Sequence, residues 1–491
     1  MKPPSATADR LRYGATAIAA ALFVCGHSAS AEAHAFGARY ELPVPVWLFV
    51  VGGAVTVTVT FLLVGLFVRT GPERYAAARF SVPGPITCVL RHPWTVGVAK
   101  IAAVSLLLLI VAAGIAGHQD PNKNIAPTFV WVVWWVGFSY LAMLIGNPWP
   151  VLNPWRTLFD LFSGKTPPAV APRPYPTRLG VWPAVILLLA IAWIEQILPY
   201  GAVPRAMVVI AAGYSILTWI GMRRYGPDAW LSNADPVGLV FGVYARFAPV
   251  IGAAGGLQLR PYAAGLLGRE EAAVSISMTA FILAMLSTVM FDGLLGSAHW
   301  VEVENMIHAI NPKLSDAGWI VAHTFGLIAM WGVFLGLYFA TCWSMGALCG
   351  NAIGGMEIAR RFALTLVPIV IGYHFAHTFS YLLVQGQQIV PLVSDPFGFG
   401  WNLFGTRDYK PEISIMTTKT AWYLAVSAIV VGHVVSVYLA HVAAERCVGD
   451  RRNVLRCLFP MTVLMVLYTI VSLLILAEPL VKYSGPNNEI M

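Results

Sequence analysis

Apolar stretches of about 20 residues recur from one end of this 491-residue chain to the other, and each is long enough for one helical crossing of a hydrocarbon core roughly 30 Å thick. Inside such a core no water satisfies backbone N–H and C=O groups, so only helices and closed barrels can span it. Continuous runs select helices over the shorter alternating segments of a barrel. Ten are read, at 46–68, 98–117, 127–147, 180–198, 204–222, 272–295, 317–342, 362–386, 420–442 and 458–477. Composition agrees, with 58% hydrophobic and 11% charged residues, against roughly 25% charged in a soluble domain. The mean hydropathy is +0.71. The expected fold class is all-α: a polytopic transmembrane helix bundle of about ten spans.

Ahead of the first span, Lys2, Arg10 and Arg12 precede a short hydrophobic run, and small residues around Ala29–Ala33 offer cleavage sites. This pattern reads as a signal peptide over 1–33, because the run is short for a span. Cleavage after Ala33 would expose His34, whose free amine and imidazole together can chelate copper. The mature chain then divides at the Pro-rich region near 167–176 and beyond into an N-terminal half, 34–271, with Trp-rich interfaces, and a C-terminal half, 272–491. Asn147-Pro148-Trp149 and Asn153-Pro154-Trp155 are expected to break the helix and lie along the inner surface.

A cut signal and ten spans put both termini outside, and the inner loops then hold more than twice as many Lys and Arg as the outer segments. That asymmetry is the positive-inside pattern, and it points to a bacterial inner membrane with periplasmic termini. The stretch 237–256 is apolar but carries Arg246 at its middle. Counting it as a span would invert every later loop, so it is read as an interfacial or re-entrant helix. Cys88, Cys342, Cys349, Cys447 and Cys457 fall on the inner side, where thiols are expected to stay reduced. The net charge of +8 reflects inner-leaflet anchoring and gives no reason to invoke nucleic acid.

Within the spans stand ionisable groups that lipid penalises by kilocalories each, and such groups mark a functional site by default. His374 and His377 are three residues apart, hence on one helix face, with Tyr381 a turn further along. Asp292, His323 and His433 come from three other spans, and Asp292, His323, His374 and His377 share the outer half of the bilayer. Histidines and a carboxylate from separate helices suit a divalent metal, zinc or copper, with His374, His377, His323 and Asp292 as ligands and His433 as a further ligand or an outer partner. Haem ligation is an alternative, as is plain hydrogen bonding between helices. Glu195 either faces the same cavity or snorkels to the surface. His118 and Asp120 read as a solvated turn, and His92 and His441 as interfacial residues. The chain has no Walker A loop, no GxGxxG after a strand and no GxSxG elbow, which argues against ATP-driven transport, dinucleotide chemistry and an α/β-hydrolase.

The segments from His34-Ala35-Phe36-Gly37 to Trp47-Leu48, Asn124-Ile125-Ala126-Pro127-Thr128-Phe129-Val130-Trp131, and Tyr373-His374-Phe375-Ala376-His377 resemble bacterial multi-pass membrane proteins described as fenitrothion hydrolases. The resemblance runs through most of the chain and implies cleavage of the P–O–aryl bond of a neutral, lipophilic organophosphate triester. A metal-activated water in the outer half of the membrane would be the attacking group, with His433 or Tyr381 as proton shuttle or leaving-group contact. The expected partners are the lipophilic substrate, membrane lipids and, as an open alternative, a second membrane subunit. The competing expectation is a non-enzymatic metal- or haem-binding membrane protein, a transporter or an assembly partner.

Overall fold

A computed structural model of the chain describes residues 45–67, 75, 77–163, 172–253, 256–267, 273–349, 353–448 and 451–477. The signal-peptide reading and His34 lie outside the described residues. The helices are α1 (Val46–Phe67), α2 (Gly84–Arg91), α3 (Pro93–Ala116), α4 (Ile125–Leu144), α5 (Pro154–Ser163), α6 (Trp182–Gln196), α7 (Pro204–Tyr225), α8 (Pro227–Asn233), α9 (Pro236–Ala245), α10 (Ile276–Leu295), α11 (Ala298–Ile310), α12 (Asp316–Leu348), α13 (Gly355–Phe362), α14 (Val367–Gln385), α15 (Ile389–Ser394), α16 (Thr418–Val448) and α17 (Arg451–Ala477). Proline at the first helical position opens α3, α7, α8 and α9, where its missing N–H would have had no partner in any case. Serine side chains cap α10, α11 and α12: Ser275 accepts from Met278, Ser297 from Trp300 and Ser315 from Gly318.

Nine helices among the described residues are long and apolar enough to cross a membrane, with α13 to α15 counted as one stretch. The protein is a multi-pass helical membrane protein. The nine match nine of the stretches read from sequence, and the remaining one forms the shorter α6, of 15 residues. Exposed leucines, valines and phenylalanines coat α1, α3 and α12, as expected of faces turned to lipid. Residues from both halves of the sequence share one core: Val185 and Leu188 of α6 and Phe241 of α9 belong to the same buried cluster as Phe281 of α10, Val370 of α14 and Met465 of α17.

The stretch read as interfacial or re-entrant is a short helix that turns back. From Tyr225 the chain reverses into α8, where Trp230 lies flat on Tyr225, with ring centroids 6.2 Å apart, and covers Gly221. It climbs along α7 to Asp235, whose carboxylate accepts from Tyr214 Oη at 2.7 Å and from the Val237 N–H at 3.0 Å, capping α9. Tyr214 sits half-way along α7, so the apex of this hairpin lies deep in the bundle. Helix α9 then descends beside α4, and Val250 N donates to Ile145 O at 2.9 Å. A three-stranded sheet follows: β2 (Val250–Ala253) and β3 (Gly256–Leu259) form a hairpin, and β1 (Phe80–Ser81) adds to the other side of β3, all antiparallel. The Arg260 guanidinium covers the end of α9 by donating to the Ala245, Arg246 and Ala248 carbonyls.

The helix breaks at Asn147-Pro148-Trp149 and at Asn153-Pro154-Trp155, as the sequence predicts, and the indoles of Trp149 and Trp155 turn inward: both are buried, Trp149 packing against Phe138 and Phe241 at 5.6 Å while Trp155 reaches Ser215. Cys349 at the end of α12 and Cys457 in α17 meet sulfur to sulfur, brought together because these antiparallel helices pack side by side. Cys342 is buried, as expected of a core residue.

Helices α14 and α16 cross with their backbones in close approach. A Cβ on Gly372 would stand 2.5 Å from Ala428 O, and one on Gly432 would stand 2.5 Å from Pro368 O. Small residues at such a crossing let two backbones touch, which is how helices associate where lipid supplies no hydrophobic drive between them. Gly432→Leu should lower stability by about 1–3 kcal/mol or more, read as a fall in the thermal unfolding midpoint in detergent. An unchanged midpoint would mean that the crossing is looser than drawn.

Candidate functional site

The crossing at Gly372 fixes where α14 presents its next turn. His374 is buried, its ring between Tyr140 of α4, at 5.8 Å, and Tyr244 of α9, at 5.6 Å. Among the described residues its Nε2 has no hydrogen-bond partner. One turn on, His377 Nε2 lies 2.6 Å from Asp292 Oδ2, with side-chain exposures of 21% and 29%, so the pair is screened but not sealed. The contact is possible because the next residue of α10 is Gly293: a Cβ there would stand 2.8 Å from Tyr373 Oη, and Tyr373 lies parallel to the His377 ring at 6.4 Å.

Opposite the pair, α6 contributes Glu195, which lines the same cavity as Trp135 and lies within electrostatic reach of Asp292. Glu195 stays exposed although it stands among the helices, so it faces a crevice. Its neighbour Gln196 donates to Thr288 O at 3.1 Å and ties α6 to α10. Glu195, Gln196, Asp292, His374, His377, Ser139, Thr288 and Thr378 supply the polar lining of one cavity, whose apolar lining includes Trp135, Leu188, Val240, Tyr244 and Met285. Its volume is about 60 Å³. A water needs roughly 10–15 Å³ on that measure, so the cavity takes a few waters and leaves no room for a macrocycle.

Thr128–Gly137 of α4 is π-helical, a rare geometry that recurs at functional sites. This segment has two working faces. Trp135 and Val136 line the polar cavity, whereas Val133 and Gly137, with Phe138, Leu141, Leu382, Leu383, Gly386, Gln387 and Ile415, line an open apolar groove of about 550 Å³. Tyr140 stands between the two, its hydroxyl 3.2 Å from Thr378 Oγ1.

The structure thus brings together Asp292, His374 and His377 and adds Glu195, but it does not bring in the remaining candidates. His323 bonds Glu304 at 2.9 Å and rests on Trp300 and Trp319. It does not line the cavity, and Phe291, Trp300 and Leu327 form a separate apolar cluster on that side of α10. The physical reason is a closer carboxylate: α11, in the connection between α10 and α12, folds back to offer Glu304, to which the Trp300 indole also donates. His433 is buried on α16 with Nδ1 2.9 Å from its own helix at Ile429 O, and it too is absent from the cavity lining. Tyr381 lies within electrostatic reach of Glu195 and Asp292, one turn beyond His377, without lining the cavity. His441, read as interfacial, is buried 3.2 Å from Glu445. The signal that could have promoted Glu195 was depth, since it stands near the same end of its span as Asp292.

Among the described residues no group of three or more His, Cys, Asp and Glu side chains is placed to hold a metal ion. A carboxylate on one imidazole nitrogen is the usual outer partner of a metal-bound histidine. Here His323, the expected further ligand, is engaged by Glu304 instead. No family model, curated protein or solved structure matches this chain.

A charge-assisted hydrogen bond of this kind contributes about 1.5–3 kcal/mol. Asp292→Asn and His377→Ala should each lower the unfolding midpoint, and the double variant should be scarcely worse than the worse single one, since neighbours in direct contact are not additive. Fully additive losses would mean that the pair is not formed.

Proposed function

We propose that this protein carries protons through the membrane, with Glu195, Asp292, His377 and His374 as its acid–base centre. The observation that carries the reading is the His377–Asp292 pair at 2.6 Å beside a cavity of about 60 Å³. A site of that size holds water and protons but not an organic substrate, and carboxylates with histidines inside a bundle are what proton relays in pumps and transporters are made of. Glu195, exposed in the crevice, takes up a proton from water. The imidazole–carboxylate pair accepts it next, exchanging one shared charge for another at short range. His374, which lines the cavity wall, is the inward neighbour. The arginines at the opposite helix ends, Arg223, Arg224, Arg360, Arg361 and Arg446, set the orientation proposed: crevice outward, arginine-rich end in the cytoplasm of a bacterium.

Purified protein in vesicles with an entrapped pH indicator should dissipate an imposed pH gradient, and Glu195→Gln or Asp292→Asn should slow this on the order of a hundredfold, the usual worth of a positioned proton-transfer group. No proton movement by the unaltered protein, or equal movement by both variants, would sink the reading.

The apolar groove favours one other reading. Its volume of about 550 Å³ falls within the roughly 300–1,000 Å³ range of small-molecule sites, and the resemblance to fenitrothion hydrolases names a lipophilic phosphotriester as its occupant. That reading requires the Tyr140–Thr378 contact between groove and cavity to part, so that a cavity water can pass its proton to His377, paired with Asp292, and attack phosphorus. The P–O–aryl bond then breaks, and the leaving aryloxide takes the proton back. Release of nitrophenolate from a nitrophenyl phosphotriester should then be seen and fall on the order of a hundredfold in His377→Ala. Turnover that is absent, or unchanged in this variant, would exclude it.

A further inference from the structure

The cavity beside His377 and Asp292 is lined with more oxygen than a proton needs. Ser139 of α4 donates to Trp135 O, Thr288 of α10 to Ala284 O and Thr378 of α14 to His374 O, each at 2.8 Å. Each hydroxyl hydrogen is thus spent on the residue's own helix, and each oxygen keeps at least one lone pair. The Gln196 amide is fixed in the same sense, because its Nε2 donates to Thr288 O at 3.1 Å and leaves Oε1 as the other end. Among the described residues two buried polar atoms of the residues lining the cavity, Gln196 Oε1 and His374 Nε2, have no hydrogen-bond partner. Buried polar atoms so placed are normally answered by a water or an ion.

Charge decides between the two. Asp292 is held by the His377 imidazole at 2.6 Å. Glu195 forms no salt bridge among the described residues, and the charge within its reach is the like charge of Asp292. A carboxylate among membrane helices without a positive partner is costly, and a bound cation removes that cost. A single positive charge fits: a divalent ion beside one such carboxylate would leave charge over in a low-dielectric site. A transition metal does not suit the donors, since among the described residues no three His, Cys, Asp and Glu side chains converge. A cavity of about 60 Å³ takes a partly dehydrated ion with little water besides, and the exposed Glu195 marks the way in from the crevice. The backbone agrees as well. Trp135 and Val136 belong to the π-helical stretch of α4, and Val240 and Tyr244 to the short α9; irregular or broken spans are where membrane carriers hold their coupling ions.

We propose that this cavity binds one alkali-metal cation, with the Glu195 carboxylate as its charged ligand and Gln196 Oε1, Ser139 Oγ and Thr288 Oγ1 as its neutral oxygen ligands. The ligands come from α4, α6 and α10, so the ion also ties the two halves of the sequence together. Binding goes beyond the proton reading and stands without it; only the step from a bound ion to a carried one rests on that reading.

Radiolabelled sodium and rubidium are the probes, measured by scintillation proximity on the purified full chain in detergent, at one pH and with choline holding the ionic strength constant. Saturable binding of one ion per chain is expected for at least one probe, displaced by the same ion unlabelled and not by choline. Glu195→Gln should weaken it on the order of a hundredfold, because a desolvated ion loses its charged partner, and Gln196→Leu about tenfold. Gln196→Leu also removes the bond between α6 and α10, so Ser139→Ala, whose hydroxyl bonds its own helix, serves as the variant that spares the packing; a loss of about fivefold is expected there. No saturable binding of either ion, affinity unchanged in all three variants, or displacement by magnesium or calcium at lower concentration than by the alkali ion itself would overturn the proposal. Ion binding without proton movement would leave it standing and sink the proton reading, and proton movement by a protein that binds neither ion would do the reverse.

Discussion

The bond between His377 and Asp292 is the contact on which the reading of this bundle turns. A lone carboxylate or imidazolium in a low-dielectric interior is expensive, and pairing at 2.6 Å is what makes either tolerable there. The backbone is arranged to allow it. Gly293 follows Asp292 so that Tyr373 and His377 can approach α10, and Gly372 lets α14 sit against α16 at the height where the two histidines emerge. Glu195 then belongs to the same electrostatic unit, because it comes within reach of Asp292 while keeping contact with a water-sized crevice. Stability and chemistry share these residues: the groups that could move a proton are those whose mutual pairing keeps the bundle from having to bury a naked charge.

Around that centre the fold separates two environments by a single stretch of helix. The π-helical part of α4 turns indole and valine toward the polar cavity and glycine and valine toward the apolar groove. A regular α-helix presents one stripe to its partner. The wider π turn shifts the faces of successive residues, and here it lets Trp135 reach Glu195 while Gly137 keeps the groove open. The hairpin of α8 and α9 completes the wall by bringing Tyr244 beneath His374 from the opposite end of the bundle. Its apex is tolerated inside because Asp235 answers Tyr214 and the first amides of α9, so little backbone polarity is left unpaired.

The second histidine system makes an instructive contrast. His323 has the same depth in its span as the working pair and was grouped with it on that ground, yet depth says nothing about direction around a helix. The α11 helix supplies Glu304 on the other face, and the aromatic cluster of Phe291 and Trp300 closes the way between the two. His433 differs again, since its Nδ1 turns to a carbonyl of its own helix beside the glycine crossing.

The sequence by itself determined the class and nearly all the spans, because burying backbone in lipid demands long uninterrupted apolar helices and tolerates little ambiguity in their number. It also determined that His374 and His377 share a face, which follows from helical periodicity alone, and it offered a place in the same cavity as one of two readings of Glu195. What the tertiary structure decided was partnership: Asp292 with His377, Glu304 with His323, Cys349 with Cys457, and Trp149 with Phe138 and Phe241. These depend on the rotation of each helix about its axis and on which neighbour it meets, and both are set by packing between segments far apart in the chain. Hydropathy measures how deep a residue lies in the membrane. It does not record which way the residue faces.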